Sequence, residues 1–262
     1  MNLVIDTNSM FTRAFYTNDL SFFSMIDRLK KEYNATYLYF AFDSGTSWRK
    51  TIYEDYKANR ADDPNRKRRI EALRRLYRAL KSAGFPVVHS DGFEADDVVG
   101  TLIKQVDNPC MVSGDKDFYQ LTDQAPLCYV AGSFNNRKHI DANECVALTG
   151  LKPNQIVIFK ALAGEKTDNI PGVPKIGKVR AIELIKAYDS FSEMQLDPRV
   201  SEHQALFDIS LTLATIRQDV PINVTNAVGN LKQAQERYIH LRKAEMSTQT
   251  DLWSIENSHL TQ

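Results

Sequence analysis

Short apolar runs alternate with longer amphipathic stretches through the first half of this chain. Residues 2–6 and Tyr37–Phe42 read as strands, the second apolar throughout, as in a sheet covered on both faces. Further strand-like runs follow at Pro86–His89, Cys110–Ser113 and Leu127–Val130. Helical patterns lie between them. A mixed segment from Met10 to Tyr33 carries Phe22, Phe23, Ile26 and Leu29 at helical spacing. Residues 66–83 put Ile70, Leu73, Tyr77 and Leu80 on one face, and Gly84 then Pro86 stop that helix. Residues 95–106 read as another helix. The stretch 44–65 is polar without a clear period and reads as a loop or mobile arch. From about residue 141 the pattern is helical only, with helices predicted at 141–148, 154–163, 177–187, 202–217 and 230–244. The polar segment 246–262 reads as a flexible tail.

This order predicts an α/β core at 1–140, a mostly parallel central sheet flanked by helices, followed by an all-helical part at 141–245. Ligand sites in such sheets lie beyond the carboxyl ends of the strands. Asp6, Asp43 and Asp115 fall there, each just after an apolar run. Glu94, Asp96 and Asp97 form one further cluster, Asp117 follows Asp115, and Glu165 and Asp168 lie in GEKTDN. Gathered carboxylates repel and raise one another's pKa, so a set of this size implies a cation among them. Hard oxygen donors select Mg²⁺ or Mn²⁺. Singly, each has an ordinary reading: Glu94, Asp96 and Asp97 open a helix, and Asp43 and Asp115 start turns. The recurrence at one sheet edge favours metal. Two cations about 4 Å apart hold a phosphodiester and activate water without a histidine base. The five histidines are scattered, away from these motifs.

Charge changes the picture by its distribution. The chain has 33 basic and 33 acidic residues. Residues 49–81 hold 12 Lys/Arg against 5 Asp/Glu, while 91–123 hold 8 Asp/Glu against 2 Lys. Two dications would cancel about four of those negative charges and leave a basic surface for nucleic acid. Within the basic stretch, Lys57 and Arg60 of YKANR suit phosphate oxygens, and Tyr56 offers a flat face to a base or sugar. Arg66 and Lys67 begin the basic outer face of the next helix and are counted as DNA contacts, although such a run alone reads as a solvated face. In IPGVPKIGKVRAIEL, Gly172 and Gly177 bracket a tight turn with Val173 and Ile176 between them. Lys178 then opens a helix. That is a helix–hairpin–helix pattern, which grips a duplex backbone without reading bases. No apolar run is long enough for a membrane span. The three cysteines show no metal spacing, MNLVIDTN runs directly into a strand, and a reducing cytoplasm is expected.

The ordered set LVIDTNSMFTRAF, FAFDS, YKANR, GFEADDVVGTL, VSGDKDFYQL, GEKTDNIPGVPKIG and LATIRQDVPI resembles the 5′-nuclease family. That family comprises the 5′→3′ exonuclease domains of bacterial DNA polymerase I and the stand-alone flap endonucleases of bacteria and phages. The resemblance implies a metal site at Asp6, Asp43, Glu94, Asp96, Asp97, Asp115, Asp117 and Asp168, with Glu165 where relatives often carry aspartate. It implies phosphate contacts by Lys57 and Arg60 at the base of a helical arch. It also implies a duplex-binding hairpin at Gly172, Val173, Ile176, Gly177 and Lys178 that can hold K⁺ through backbone carbonyls. A second departure is Asp6-Thr7 where relatives usually have Asp-Gly; the turn is expected to persist. The expected activity is 5′→3′ exonuclease and flap cleavage of DNA to 5′-phosphate and 3′-hydroxyl, with action on RNA–DNA hybrids. The protein is expected to be a free-standing monomer acting on 5′ ends, flaps and nicked duplex. The rival readings are a PIN-like endoribonuclease and a duplex-binding module without catalysis.

Overall fold

Alternation along β1 (Asn2–Asp6) decides how the layers stack. Leu3 and Ile5 face one layer and Val4 the other, all fully buried, because successive strand side chains point to opposite faces. The computed structural model describes residues 1–60, 63–131 and 134–258, the side chains of Arg60 and of 246–258 excepted. The other strands are β2 (Leu38–Ala41), β3 (Val87–Val88), β4 (Pro109–Ser113), β5 (Leu127–Tyr129) and β6 (Lys138–Ile140). They form one sheet in the order β3-β2-β1-β4-β5-β6. The first five are parallel, and β6 closes the edge antiparallel to β5, an addition that the sequence pattern did not announce.

The helices of the first half are α1 (Thr7–Phe15), α2 (Ser21–Glu32), α3 (Arg49–Ile52), α4 (Arg66–Ser82) and α5 (Ala95–Gln105). Those of the second half are α6 (Ala142–Thr149), α7 (Pro153–Ala163), α8 (Lys178–Ala187), α9 (Phe191–Gln195), α10 (Pro198–Ser201), α11 (Gln204–Ala214) and α12 (Leu231–Ser258). Helices α1, α2, α4 and α12 cover one face of the sheet through Phe11, Phe22, Ile26, Leu76, Leu80 and Tyr238. Helix α5 covers the other face with Val98 and Leu102, and α7, α8 and α11 continue that core through Ile156, Leu162, Leu184 and Phe207. Each such side chain contributes about 1.5–3 kcal/mol of burial. In α4 the inward face is Ala72, Leu73, Leu76, Ala79 and Leu80, with Ile70 and Tyr77 only half-buried, so the expected stripe is rotated slightly. The segment read as a tail from residue 246 begins inside α12; residues 259–262, like 61–62 and 132–133, lie outside the described residues.

Strand order reverses at β1, whose neighbours are β2 on one side and β4 on the other. Such a switch point leaves a crevice beyond the strand ends. The chain leaves β1 without a loop. Asp6 is the last residue of the strand and also the N-cap of α1, accepting from Ser9 N at 3.1 Å, so the turn survives with threonine at position 7. Past β4, Arg13 of α1 donates to Gly114 O at 2.9 Å. A Cβ on Gly114 would lie 2.1 Å from that guanidinium, so a larger residue there would push the Arg13 side chain out of this contact.

Candidate active site

Two strand ends and one helix start converge at the crevice. Asp6 is only 2% exposed. Ser113 Oγ, at the end of β4, donates to Asp6 Oδ2 at 2.6 Å and accepts from Asp115 N at 3.0 Å, so one hydroxyl ties the two strand ends together. Burial pushes the Asp6 carboxyl up to about 7, opposed by the Ser113 and Ser9 hydrogen bonds and assisted by the charges of Asp43 and Asp115. Asp96, in the first turn of α5, is raised well above the ordinary range by burial and then by Asp6 and Asp115. No donor among the described residues hydrogen-bonds its carboxylate. Asp115 accepts from Asp117 N at 2.9 Å and caps the 3-10 turn Lys116–Leu121. Asp43 stands at the rim, exposed. It accepts from Ala95 N at 2.7 Å and from Asn8 Nδ2 at 2.6 Å, which fixes the start of α5 beside β2.

A second acidic group lies next to the first. Asp117, Glu165 and Asp168 each offer one carboxylate oxygen, and these oxygens lie within 4.8 Å of one another. Lys160 reaches in from the last turn of α7, pairing with Asp117 and donating to Glu165 Oε2 at 2.7 Å. Burial works against the Lys160 charge, but Asp117 and Glu165 outweigh it and raise the ammonium above its usual value. Asp117 is raised by burial and by Asp115, with Lys160 pulling the other way. The loop bearing Glu165 and Asp168 is set by close backbone packing. Gly164 and Gly172 both adopt positive φ, and a Cβ on Gly172 would lie 2.5 Å from Gly164 N. Glu165 and Ile170 close the loop with a pair of 2.9 Å backbone hydrogen bonds.

Lys57 links the groups. Its φ of 55° turns the chain so that its N–H donates to Asp168 O at 3.0 Å. Its ammonium donates to Glu94 Oε1 at 2.7 Å and stands 3.7 Å from Asp168 Oδ2. Glu94 also accepts from Arg49 Nη1 at 2.8 Å and Tyr56 O–H at 3.0 Å. Burial pushes the Glu94 carboxyl up, but Lys57 and Arg49 prevail and hold it below its usual value. Asp97 behaves differently from Asp96. It is fully buried and takes both Arg49 terminal nitrogens at 2.8 Å, Trp48 Nε1 at 2.9 Å and Arg217 N at 2.9 Å. Four donors fill its lone pairs, so it is not available to a cation alongside the others. The reason is helical: consecutive residues diverge by about 100° around the axis, so Asp96 faces the crevice and Asp97 the interior.

The sequence and the fold are matched by known proteins. A 5′–3′ exonuclease N-terminal, resolvase-like domain matches residues 1–150, and the 5′–3′ exonuclease C-terminal SAM fold matches residues 151–237. The chain belongs to the 5′–3′ exonuclease family. It is 30% identical over 227 residues to a 5′–3′ exonuclease of Buchnera aphidicola, covering 78% of this chain and 77% of that one. It is 32% identical over 211 residues to DNA polymerase I of Chloroflexus aurantiacus, covering 74% of this chain. The chain spans only 22% to 32% of the length of its DNA polymerase I relatives. Its fold is that of the phage T5 flap endonuclease in a pseudo-enzyme–product complex with DNA and metal ions. That likeness has a TM-score of 0.71 at 21% identity, over 93% of this chain and 100% of the other.

Within this exonuclease fold, other expected residues fall in two sets. Gly177 and Lys178 are exposed at the N-terminus of α8, where Gly177 provides no side-chain cap and first-turn N–H groups face outward. Arg66 and Lys67 are exposed on the first turn of α4. Gly172, Val173 and Ile176 are buried, the last two with side chains in the main core, so these residues shape the hairpin and any duplex contact there falls to exposed neighbours and backbone. Tyr56 is only 3% exposed, packed with Ile170, Leu213 and Ala214, so its ring does not present a face to a base as expected. The stretch read as a mobile arch instead supplies α3 and a 3-10 turn, Ala58–Arg60, sewn to the Glu165 loop by Asn59 Nδ2–Lys166 O at 2.7 Å. The Arg60 side chain lies outside the described residues.

Sequence reasoning missed Arg49, Lys160 and Ser113. Arg49, 2% exposed, also donates to Leu213 O and Thr215 O at the end of α11, joining the helical half to α5. Lys160 had a readable signal: it follows buried Ile156 by one helical turn and so shares the inward side of α7.

Proposed function

We propose that the chain is a divalent-metal-dependent phosphodiesterase cutting DNA at 5′ ends and 5′ flaps, leaving 5′-phosphate and 3′-hydroxyl, with action on RNA in hybrids. The observation that carries this reading is the strand-end group: buried Asp6 and half-buried Asp96 close to Asp115, with Asp96 lacking a hydrogen-bond donor among the described residues. The donor set is all carboxylate oxygen, which suits Mg²⁺, with Mn²⁺ as substitute. Asp6, Asp96 and Asp115 would hold one ion, and Asp117, Glu165 and Asp168 a second. Bound there, such ions supply a water of lowered pKa and charge neutralisation at phosphate. Asp43 and Ser113 keep the first group in register. Lys57 has three N–H donors and engages Glu94 closely and Asp168 loosely, so one donor can turn to a phosphate oxygen as charge grows there. Gly177 and Lys178 grip the duplex backbone, aided by Arg66 and Lys67, and K⁺ at the hairpin follows from the resemblance to the family.

No helix among the described residues is long and apolar enough to cross a membrane. Three buried free thiols support a reducing, cytoplasmic setting. The test is a panel of end-labelled 5′-flap, nicked, blunt and single-stranded RNA substrates with Mg²⁺ or EDTA. Release of 5′-terminal fragments from flap and nicked DNA, abolished by EDTA, supports the reading. Cleavage of the RNA with flap DNA intact, or flap binding without any cleavage, overturns it.

A further inference from the structure

The second acidic group already contains a cation of the protein's own. The Lys160 side chain is 12% exposed, and its ammonium rests on Asp117 and on Glu165 Oε2. The other Glu165 oxygen accepts from Thr167 Oγ1 at 3.0 Å. On the far side, Lys57 stands 3.7 Å from Asp168. Lys160 is held there by its place in α7, one turn after buried Ile156 and just before buried Ala161 and Leu162. The strand-end group has no equivalent ammonium bridging two of its members among the described residues.

We propose that Lys160 is a built-in counter-ion of the Asp117–Glu165–Asp168 group, one that a second divalent cation must displace or share the site with, so that this group fills only after the strand-end group. The inference rests on the reading that both groups take dications. A dication among oxygens that span at most 4.8 Å meets the ammonium at short range, and repulsion there weakens its binding. With the protein metal-free, the same ammonium keeps Asp117 and Glu165 together, while Lys57 stands beside Asp168. Lys160 is thus a positioning residue that sets the order of metal loading.

The test is a titration of the full-length protein with Mn²⁺ alone, counting free Mn²⁺ by electron paramagnetic resonance. The wild type is expected to show a tight and a weak class of sites. Lys160→Met should tighten the weak class by about tenfold or more, leaving the tight class unchanged. Lys160→Gln, which keeps an N–H donor but no charge, should do the same, and Lys160→Arg should restore wild-type behaviour. Both neutral variants should melt lower than wild type in EDTA and recover with Mg²⁺. An intact tight class with an unchanged or weakened second class in both neutral variants overturns the counter-ion role. Absence of any Mn²⁺ binding by the wild type overturns the two-group metal reading instead.

Discussion

The two acidic groups are neighbours in space and opposites in construction. The first is built from rigid elements, the ends of β1 and β4 and the start of α5, with no ammonium bridging two of its members among the described residues and with Lys57 acting on Asp96 only through its charge. The second comes from a 3-10 turn and a loop and carries Lys160 among its members, with Lys57 at its edge. Rigid strand ends can keep carboxylates together without a bridging ammonium, and the raised pKa values of Asp6 and Asp96 come first from burial and then from their acidic neighbours. A loop has no such stiffness and needs the ammonium. On this view the first group is poised to take an ion as the protein stands, while the second needs something to shift first.

The largest effect that separates them is expected from single substitutions. Asp115→Ala should lower single-turnover cleavage by about a thousandfold or more, because it removes transition-state charge stabilisation at the first group. Duplex binding in EDTA should persist. Asp117→Ala should cost less, because two other carboxylates of its group remain and Lys160 already neutralises part of their charge. Equal losses would erase the distinction between the groups. The next effect is on folding. Arg49→Met leaves Asp97 buried without its fork and should destabilise by about 3–5 kcal/mol, read from urea unfolding. A loss below about 1 kcal/mol would show that Arg49 does not bind the helical half to α5.

A smaller, diagnostic effect lies in pH. Asp6 titrates near 7 when folded, above the usual carboxylate value, so the folded metal-free protein holds a proton that the unfolded chain has released. The stability from this group is present at low pH and lost as pH rises through about 7. Glu94 has the opposite sign: held below its usual value by Lys57 and Arg49 against burial, it contributes stability that is lost as pH falls below the carboxylate range. Melting temperature in EDTA should therefore fall from about pH 5 to about pH 8, and Mg²⁺ should remove the fall by holding Asp6 ionised. An identical slope with and without Mg²⁺ would mean that Asp6 does not meet the ion.

The strand-end group was legible because a carboxylate ending an apolar run is both local and conspicuous. Asp6 and Asp115 needed only the period of the strand and the rule that parallel sheets bind ligands at their carboxyl edge. Asp96 and Asp97 were legible as a pair but not as individuals. Which of two adjacent helix residues faces the crevice depends on how α5 rolls against Arg217 and Trp48, over a hundred residues and about fifty residues away respectively. Arg49 sat in a polar stretch where a cation normally means solvent, and its partners Leu213 and Thr215 belong to the other half of the chain. Tyr56 was misread for the same reason. A long-range partner turned an apparent surface aromatic into a buried donor to Glu94.

The finest discrimination comes from Glu165, where relatives often carry aspartate. Its side chain spans the distance to both Lys160 and Thr167. Shortening it by one methylene draws the carboxylate back toward its own loop and loosens the grip on the ammonium. Glu165→Asp should then require a few-fold less Mg²⁺ for half-maximal cleavage, with the maximal rate nearly unchanged. Combined with Lys160→Met the gain should vanish, because both changes free the same oxygens and act on one interaction. A titration of rate against Mg²⁺ for the four proteins of that double-mutant cycle measures it. Additive gains would place the effect of Glu165 in its own reach toward the ion, independent of Lys160.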